Sequence, residues 1–410
     1  MRVSVAALVL WISSLHAAAA APAAAPAAVP GELIVRFRHD ASTAQRSSAL
    51  ARVPAATRVQ EFGFIDAALV RFASMSTADA IAELKKDPEV LYAEPNYEIH
   101  VARVPNDPRF PELYGMRNLG QTGGTPGADI RATLAWDLFT GDPNLKIGVI
   151  DTGIDYNHPD LAANMWTNPG EIAGNHIDDD HNGYVDDVHG YDVVNNDGDP
   201  MDDFGHGTHC SGTIAGVGDN GVGVVGVNWH LKLVGIKFLD ASGSGSTAGA
   251  IAAVQYAIVA GVRLTSNSWG GGPFSAALLD AINAAGAAGQ LFIAAAGNNG
   301  WDTDVTPVYP ADYDSPYIVS VGASDHNDHL AFFSNRGVNS VDLAAPGVDI
   351  LSTVPGGGYE THSGTSMACP HASGVFALAA GRFPFASNLQ LKDLVLSSCD
   401  SIPALTGLVH

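Results

Sequence analysis

Three short blocks follow one another along the chain: Asp151-Thr152-Gly153, Gly205-His206-Gly207-Thr208-His209 and Gly364-Thr365-Ser366-Met367-Ala368. They offer a carboxylate, an imidazole and a hydroxyl. A serine hydroxyl is a weak nucleophile at neutral pH until an imidazole takes its proton. The imidazole in turn needs a buried carboxylate to hold one tautomer. Ser366 alone would read as a helix cap. Beside the other two blocks it reads as a nucleophile, close to a helix N-terminus whose free N–H groups can stabilise an oxyanion. His206 and His209 lie one helical turn apart and would also suit zinc, but a third ligand and an adjacent acid on that helix are missing. His209 is therefore assigned to the structural face of the helix. Asp155 competes with Asp151 for the role of orienting acid. Asn298, in Ala295-Ala296-Gly297-Asn298-Asn299-Gly300, carries an amide that can donate to an oxyanion, although Asn is also a common turn residue.

Elements that could position these groups are legible. Lys146 to Ile150 reads as a strand running into Asp151. The segments Leu233–Phe238, Leu264–Ser268 and Leu291–Ala296 alternate with helical stretches at Thr247–Ala260 and Ala276–Ala288. A helix is also expected over Ala372–Ala380. This alternation predicts an α/β domain with a doubly wound, mostly parallel sheet, whose chemistry gathers at the carboxyl ends of the strands. Upstream, strands at Leu33–Phe37, Ala67–Phe72 and Val90–Tyr97 enclose helices near Thr43–Arg52 and after Ser76. That pattern predicts a small α+β ferredoxin-like unit.

The chain has 410 residues, with 20 Lys plus Arg against 43 Asp plus Glu, a formal charge of -23. Such a balance argues against a nucleic-acid partner. Arg2, the apolar run Val3–Leu15 and the small residues up to Ala20 form a signal-peptide pattern over residues 1–20, so the protein is expected to be secreted. An Ala/Pro-rich lead-in follows over 21–31, and no later segment is expected to insert stably in a membrane. Three cysteines, Cys210, Cys369 and Cys399, are too few for a disulfide scaffold. Cys210 and Cys369 are expected as buried free thiols.

The acid is concentrated between Asp178 and Asp203. Asp178, Asp180 and Asn182 have the 1, 3, 5 spacing of a calcium loop, Gly183 makes the turn, and the Tyr184 carbonyl can follow. Position 12 is His189 rather than Glu, so Asp186 or Asp187 must complete the shell. The alternative is a solvated acidic loop.

Taken together, the three blocks in the order Asp, His, Ser resemble those of the subtilisin-like serine peptidases, most closely their thermitase-like secreted branch. The resemblance runs from Asn106 to the C-terminus, and the upstream α+β unit is similar to a subtilisin pro-domain. It implies a pro-domain over 32–102 acting as intramolecular inhibitor and chaperone, then a peptidase domain over 105–410. Asp151 is favoured over Asp155, and Asn298 becomes the oxyanion donor. In subtilisin, the reference case for such an amide, its removal costs about 10²–10³ in turnover.

Ser268, Trp269 and Gly270 resemble the strand on which a peptide substrate adds as an extra strand. Asn299 is assigned to the pocket rim and Val308 to the floor of the first specificity pocket. Many relatives have Gly at the position of Val308, so medium apolar residues are expected before the scissile bond. A tight calcium site is implied at Asp107, Asp160 and Asn220, with the carbonyls of Gly218, Val222 and Val224. The family continues past the equivalent of Gly407, which leaves open a truncated C-terminus. The expected protein is a monomeric, Ca2+-stabilised endopeptidase acting on polypeptides and cutting itself between about Asn96 and Val104. Two rivals remain: a catalytically silent peptide-binding domain on the same fold, and an esterase, whose Gly-x-Ser-x-Gly elbow is absent around Ser366.

Overall fold

The computed structural model describes residues 28–73, 75–97 and 103–410. The signal peptide, most of the Ala/Pro-rich lead-in and the centre of the expected self-cleavage segment lie outside them. The chain divides into two compact units, one within Met1–Val101 and one within Ala102–His410.

In the first unit β1 (Ala28–Phe37), α1 (Thr43–Leu50), β2 (Thr57–Phe62), β3 (Ala67–Arg71), α2 (Thr77–Leu84) and β4 (Val90–Tyr97) follow in order. The strands form one antiparallel sheet in the order β2-β3-β1-β4, the ferredoxin-like arrangement. Strand β2 was absent from the sequence expectation. It is an edge strand exposed along nearly its whole length, so it shows no apolar alternation. The lead-in also proves shorter than expected, because β1 begins at Ala28, paired with Tyr97, and bulges before Leu33. Ser42 and Ser76 cap α1 and α2 by accepting N–H groups three residues on. Leu33, Val35, Phe37, Leu50, Val70 and Leu84 fill the core between sheet and helices.

The second unit is built on β5 (Lys146–Asp151), β6 (Gly190–Asp192), β7 (Lys232–Lys237), β8 (Leu264–Asn267), β9 (Leu291–Ala295), β10 (Ile318–Ser324) and β11 (Leu343–Pro346). These strands pair in parallel in the order β11-β10-β9-β8-β5-β7-β6. A separate hairpin joins β12 (Ile350–Val354) to β13 (Gly358–His362). The helices are α3 (Ala132–Trp136), α4 (His206–Ala215), α5 (Thr247–Ala260), α6 (Ala276–Ala287), α7 (Thr365–Arg382) and α8 (Asn388–Ser397).

Two apolar cores flank the sheet. Ile147, Val149, Leu233, Ile293 and Val321 meet Phe376 and its neighbours on one side, and Ile150, Val234 and Ile236 meet α5 and α6 on the other. Burial on both faces is why these strands read as continuous apolar runs. Strand order reverses around β5, with β7 on one side and β8 on the other. A crevice therefore opens at the carboxyl end of β5, where Asp151 stands.

Helix α7 begins seven residues before the expected Ala372, at Thr365, and runs through Pro370. Pro370 has no N–H to give to the carbonyl of Ser366, four residues back. That carbonyl instead accepts from Ser268 Oγ at 2.9 Å and from Cys210 Sγ at 3.4 Å. The proline that obscured the helix start in sequence thus ties the Ser366 turn to β8 and α4.

Candidate active site

Asp151 is fully buried, and its carboxylate accepts the Thr152 N–H at 2.7 Å. His206 Nδ1 lies 2.8 and 3.0 Å from its two oxygens. The close approach depends on glycine. A Cβ on Gly207 would meet the Gly153 carbonyl at 2.1 Å and Asp151 Cβ at 3.1 Å, so any side chain there would push α4 off the end of β5. Gly205, with φ of 106°, turns the chain sharply into the helix. Burial alone would lower the basicity of His206. The adjacent charge and hydrogen bond of Asp151, with a further contribution from Asp202, outweigh it and raise the imidazole above its ordinary range.

Ser366 is the second residue of α7, and its hydroxyl donates to the Ser268 carbonyl at 3.1 Å. Asn298 follows β9. Its Oδ1 accepts the Thr365 N–H at 2.8 Å and the Thr365 hydroxyl at 2.9 Å. Asn298 Nδ2 and Ser366 N each stand 3.6 Å, and Asn298 Oδ1 3.7 Å, from where a Cβ on Gly364 would sit. The Asn298 amide and the Ser366 N–H therefore border the bare face of one glycine.

A cleft of about 760 Å3 takes in His206, Ser366 and Asn298, and also the five residues expected to bind substrate: Ser268, Trp269, Gly270, Asn299 and Val308. Val308 Cγ1 lies 3.4 Å from the Cβ position of Gly297 and 3.9 Å from that of Gly270, between the two walls of the cleft. Its N–H is fixed by Asp312 Oδ2 at 2.6 Å. The Trp269 ring packs edge-on against Phe238 and Phe292.

Sequence reasoning missed Asn335, which is fully buried. Its Oδ1 accepts the N–H groups of Asn299 and Trp301, and its Nδ2 donates to the Ala296 carbonyl, which fixes the turn carrying Asn298. No spacing signal marks it, because its partners lie more than thirty residues upstream.

The remaining groups sit apart from the cleft or behind it. His209 is fully buried, its Nε2 3.1 Å from the Ile350 carbonyl and its ring stacked on His362, and burial pushes it down to about 3. Asp155 accepts the N–H groups of Asn157 and Gly356 and does not bond to His206. Cys210 and Cys369 are free and buried, and burial raises both thiols. Cys210 Sγ nonetheless lies within 4.8 Å of the nearest Asp151 and His206 ligand atoms.

The acidic loops differ from expectation in which polar groups converge. Asp178 and Asp180 converge with Glu171, their oxygens within 4.8 Å of one another. Glu171, seven residues before Asp178, carried no motif signal. Asp186 does not complete this cluster, because its carboxylate takes the N–H groups of Gly174, Asn175 and His176. Asp187 is buried against the Tyr256 hydroxyl at 2.7 Å and Asn168 Nδ2 at 2.7 Å. Asn182 Oδ1 accepts the Tyr184 N–H.

At the other loop Asp160 accepts Asn220 Nδ2 and Val224 N–H, each at 2.8 Å. Asp107 Oδ2 accepts the Asp219 N–H at 2.7 Å, while its buried Oδ1 has no partner. Burial, and to a lesser degree the charge of Asp160, lift Asp107 to about 6. Asn220 turns its Nδ2 rather than its oxygen toward Asp160, and its Oδ1 accepts the Val222 N–H. Gly218 packs beside Trp229.

The chain matches the subtilase family over residues 142–407 and the fervidolysin N-terminal prodomain over residues 14–96. It is 34% identical over 373 residues to a thermophilic serine proteinase of Bacillus sp. (strain AK1), covering 91% of this chain and 82% of that one. It is 37% identical over 288 residues to thermitase of Thermoactinomyces vulgaris, covering 70% and 89%. A cold-adapted subtilisin-like serine proteinase superposes with a TM-score of 0.54 at 35% identity, covering 66% of this chain and 88% of its own. The chain belongs to the subtilase family. It is a subtilisin-like serine peptidase with an N-terminal prodomain, of the thermitase-like kind.

The three environments of His206, His209 and His371 predict separate titrations. His371 is buried and lowered to about 4. Imidazole NMR spectra recorded from pH 5 to 9 should show His206 protonating with a midpoint above 6.5, while His209 and His371 stay neutral throughout. A His206 midpoint below 6.5 would refute the Asp151 contact as the dominant influence.

Proposed function

We propose that the protein is a secreted, calcium-stabilised serine endopeptidase, made as a self-processing zymogen, that cuts polypeptides through an acyl-enzyme. The observation carrying this reading is the 2.8 Å contact of His206 with buried Asp151, in the cleft that also holds Ser366 and Asn298. Ser366 Oγ leaves the Ser268 carbonyl, passes its proton to His206 and attacks the scissile carbonyl. Asp151 keeps Nδ1 protonated and stabilises the imidazolium. The Ser366 N–H and Asn298 Nδ2 hold the developing oxyanion. His206 then gives its proton to the leaving amine, and water releases the acyl group.

An extended peptide pairs with the Ser268-Trp269-Gly270 backbone, with Asn299 at the rim and Val308 at the floor of the first pocket. The ferredoxin-like unit serves as intramolecular inhibitor until cleavage in the segment between Asn96 and Val104. Export is inferred from the pattern over residues 1–20; among the described residues no helix is long and apolar enough to cross a membrane. The working unit is taken as a monomer without a nucleic-acid partner.

A fluorophosphonate should label Ser366 in the mature enzyme, and Ser366→Ala should accumulate as uncut precursor with the same fold. Maturation of purified Ser366→Ala would show that another protease does the cutting. For the pocket, matched peptides differing only before the scissile bond should be cut faster after Leu, Met or Ala than after Tyr or Trp. The difference should be within the roughly 1–3 kcal/mol that a small apolar volume change is worth. Val308→Gly should move preference toward aromatics, and an unchanged profile would remove Val308 from the floor.

Calcium is inferred from the donor sets. Asp107 and Asp160 are buried carboxylates without an ion pair among the described residues, and the orphaned Asp107 oxygen is what a hard cation would satisfy. Asn220 and the carbonyls of Gly218, Val222 and Val224 would complete that shell. Glu171, Asp178 and Asp180, with Asn182 and the Tyr184 carbonyl, would hold a second ion. Bound calcium neutralises these carboxylates and stabilises the fold by mass action. Chelation should lower the melting temperature of Ser366→Ala protein, and Asp160→Ala should reproduce much of the loss. Identical melting in excess chelator and in millimolar calcium would overturn both sites.

A further inference from the structure

Asp202 lies four residues before His206 and is 5% exposed. Its Oδ1 accepts the Thr152 hydroxyl at 2.8 Å and the N–H groups of Phe204 and Gly205 at 3.0 and 2.8 Å. Its Oδ2 accepts the Thr208 N–H at 2.9 Å and the Thr208 hydroxyl at 2.6 Å. These donors come from both segments that form the acid–base pair. Thr152 directly follows Asp151, and Gly205 and Thr208 bracket His206. The hydroxyls carry the tie further. Thr152 Oγ1 accepts the Gly207 N–H at 2.9 Å, and Thr208 Oγ1 accepts the Asp155 N–H at 2.9 Å. One buried carboxylate and two hydroxyls therefore lock the first turn of α4 onto the end of β5.

We propose that Asp202 is a positioning residue of this peptidase, setting His206 against Asp151 and placing a second negative charge behind the imidazole. The inference rests on the triad reading given above. A carboxylate accepts at both oxygens, whereas an amide of the same shape accepts at one and presents N–H to donors at the other. Asp202→Asn therefore both breaks the lock and removes the charge. That charge acts with Asp151 to lift His206 against the burial that would lower it. The other ionisable groups around the imidazole are left in place by the substitution. They are Asp151 on β5, and His209 and the Cys210 thiol on α4; the buried Lys237 at the end of β7 is also unchanged. Lys237 Nζ pairs with Asp203 and holds the Thr152 carbonyl at 2.9 Å.

The test compares wild type, Asp202→Asn and Thr208→Val, each scaled to the fraction of Ser366 labelled by a fluorophosphonate. In Asp202→Asn, kcat should fall about tenfold, a part of the roughly 10²–10⁴ that a placed general base supplies, with KM nearly unchanged. The acid limb of kcat/KM should move to lower pH, because losing a nearby negative charge disfavours the imidazolium. Thr208→Val keeps the charge and loses a tie, so kcat should fall while the acid limb stays in place. A purely structural Asp202 would lower the melting temperature and leave kcat per labelled site and the acid limb as in wild type, which overturns the proposal. If Asp202→Asn does not fold, Thr208→Val decides: a reduced kcat at unchanged KM supports the proposal and an unchanged kcat overturns it. Failure of wild type to be labelled or to hydrolyse peptides would sink the triad reading itself, and this inference with it. Normal wild-type turnover with an indifferent Asp202→Asn sinks this inference alone.

Discussion

The hydrogen bond between His206 and the buried Asp151 carboxylate constrains the peptidase unit more than any other contact. Its partners are 55 residues apart, and one of them is a charge with no exposed surface. Removing a carboxylate from water is costly unless hydrogen bonds and an opposite charge replace the lost hydration. The fold meets that demand by ending β5 where α4 begins, with glycines at 153, 205 and 207 allowing backbone to touch backbone. The parallel sheet supplies the rigidity. Strands buried on both faces leave β5 no freedom to shift, so Asp151 presents a fixed target.

Ser366 is anchored by a different device. Helix α7 leans on β8 to β11 through Ala368, Ala372 and Phe376, while its first turn is held from the side rather than by its own ladder. Pro370 withholds one N–H, and Ser268 and Cys210 take up the carbonyl that is left. Asn298 is fixed through its oxygen by Thr365 and through its turn by Asn335. Asp151, His206, Ser366 and Asn298 thus stand on β5, on α4, on α7 and just past β9, around one sheet in which β5, β8 and β9 are neighbours.

Much of this was legible in the residues. The carboxyl-terminal placement of Asp151, the strand–helix alternation and the ferredoxin-like unit all follow from apolar runs, alanine-rich stretches and serine caps, which are local signals. The losses have local causes too. Strand β2 is polar and exposed, so nothing distinguishes it from a loop. The start of α7 is masked by a proline that is tolerated because side chains from other elements accept its consequence. Asp186 and Asp187 had the spacing to complete a metal shell, yet the oxygens of Asp186 close a turn over residues 174–176, those of Asp187 are taken by Asn168, Asn182 and Tyr256, and Glu171 converges with Asp178 and Asp180.

The sequence by itself determined which chemistry was available, because the identity and order of Asp151, His206 and Ser366 are covalent facts and the periodicities around them dictate strand or helix. Tertiary structure alone decided which polar groups would serve as supports. Asp202, Asn335 and Glu171 look in sequence like any other acid or amide. Asn335 accepts from residues 36 and 34 positions upstream and Asp202 from Thr152, 50 positions upstream, while Glu171 accepts from the loop that follows it. A hydrogen bond exists only where packing sets two atoms about 3 Å apart.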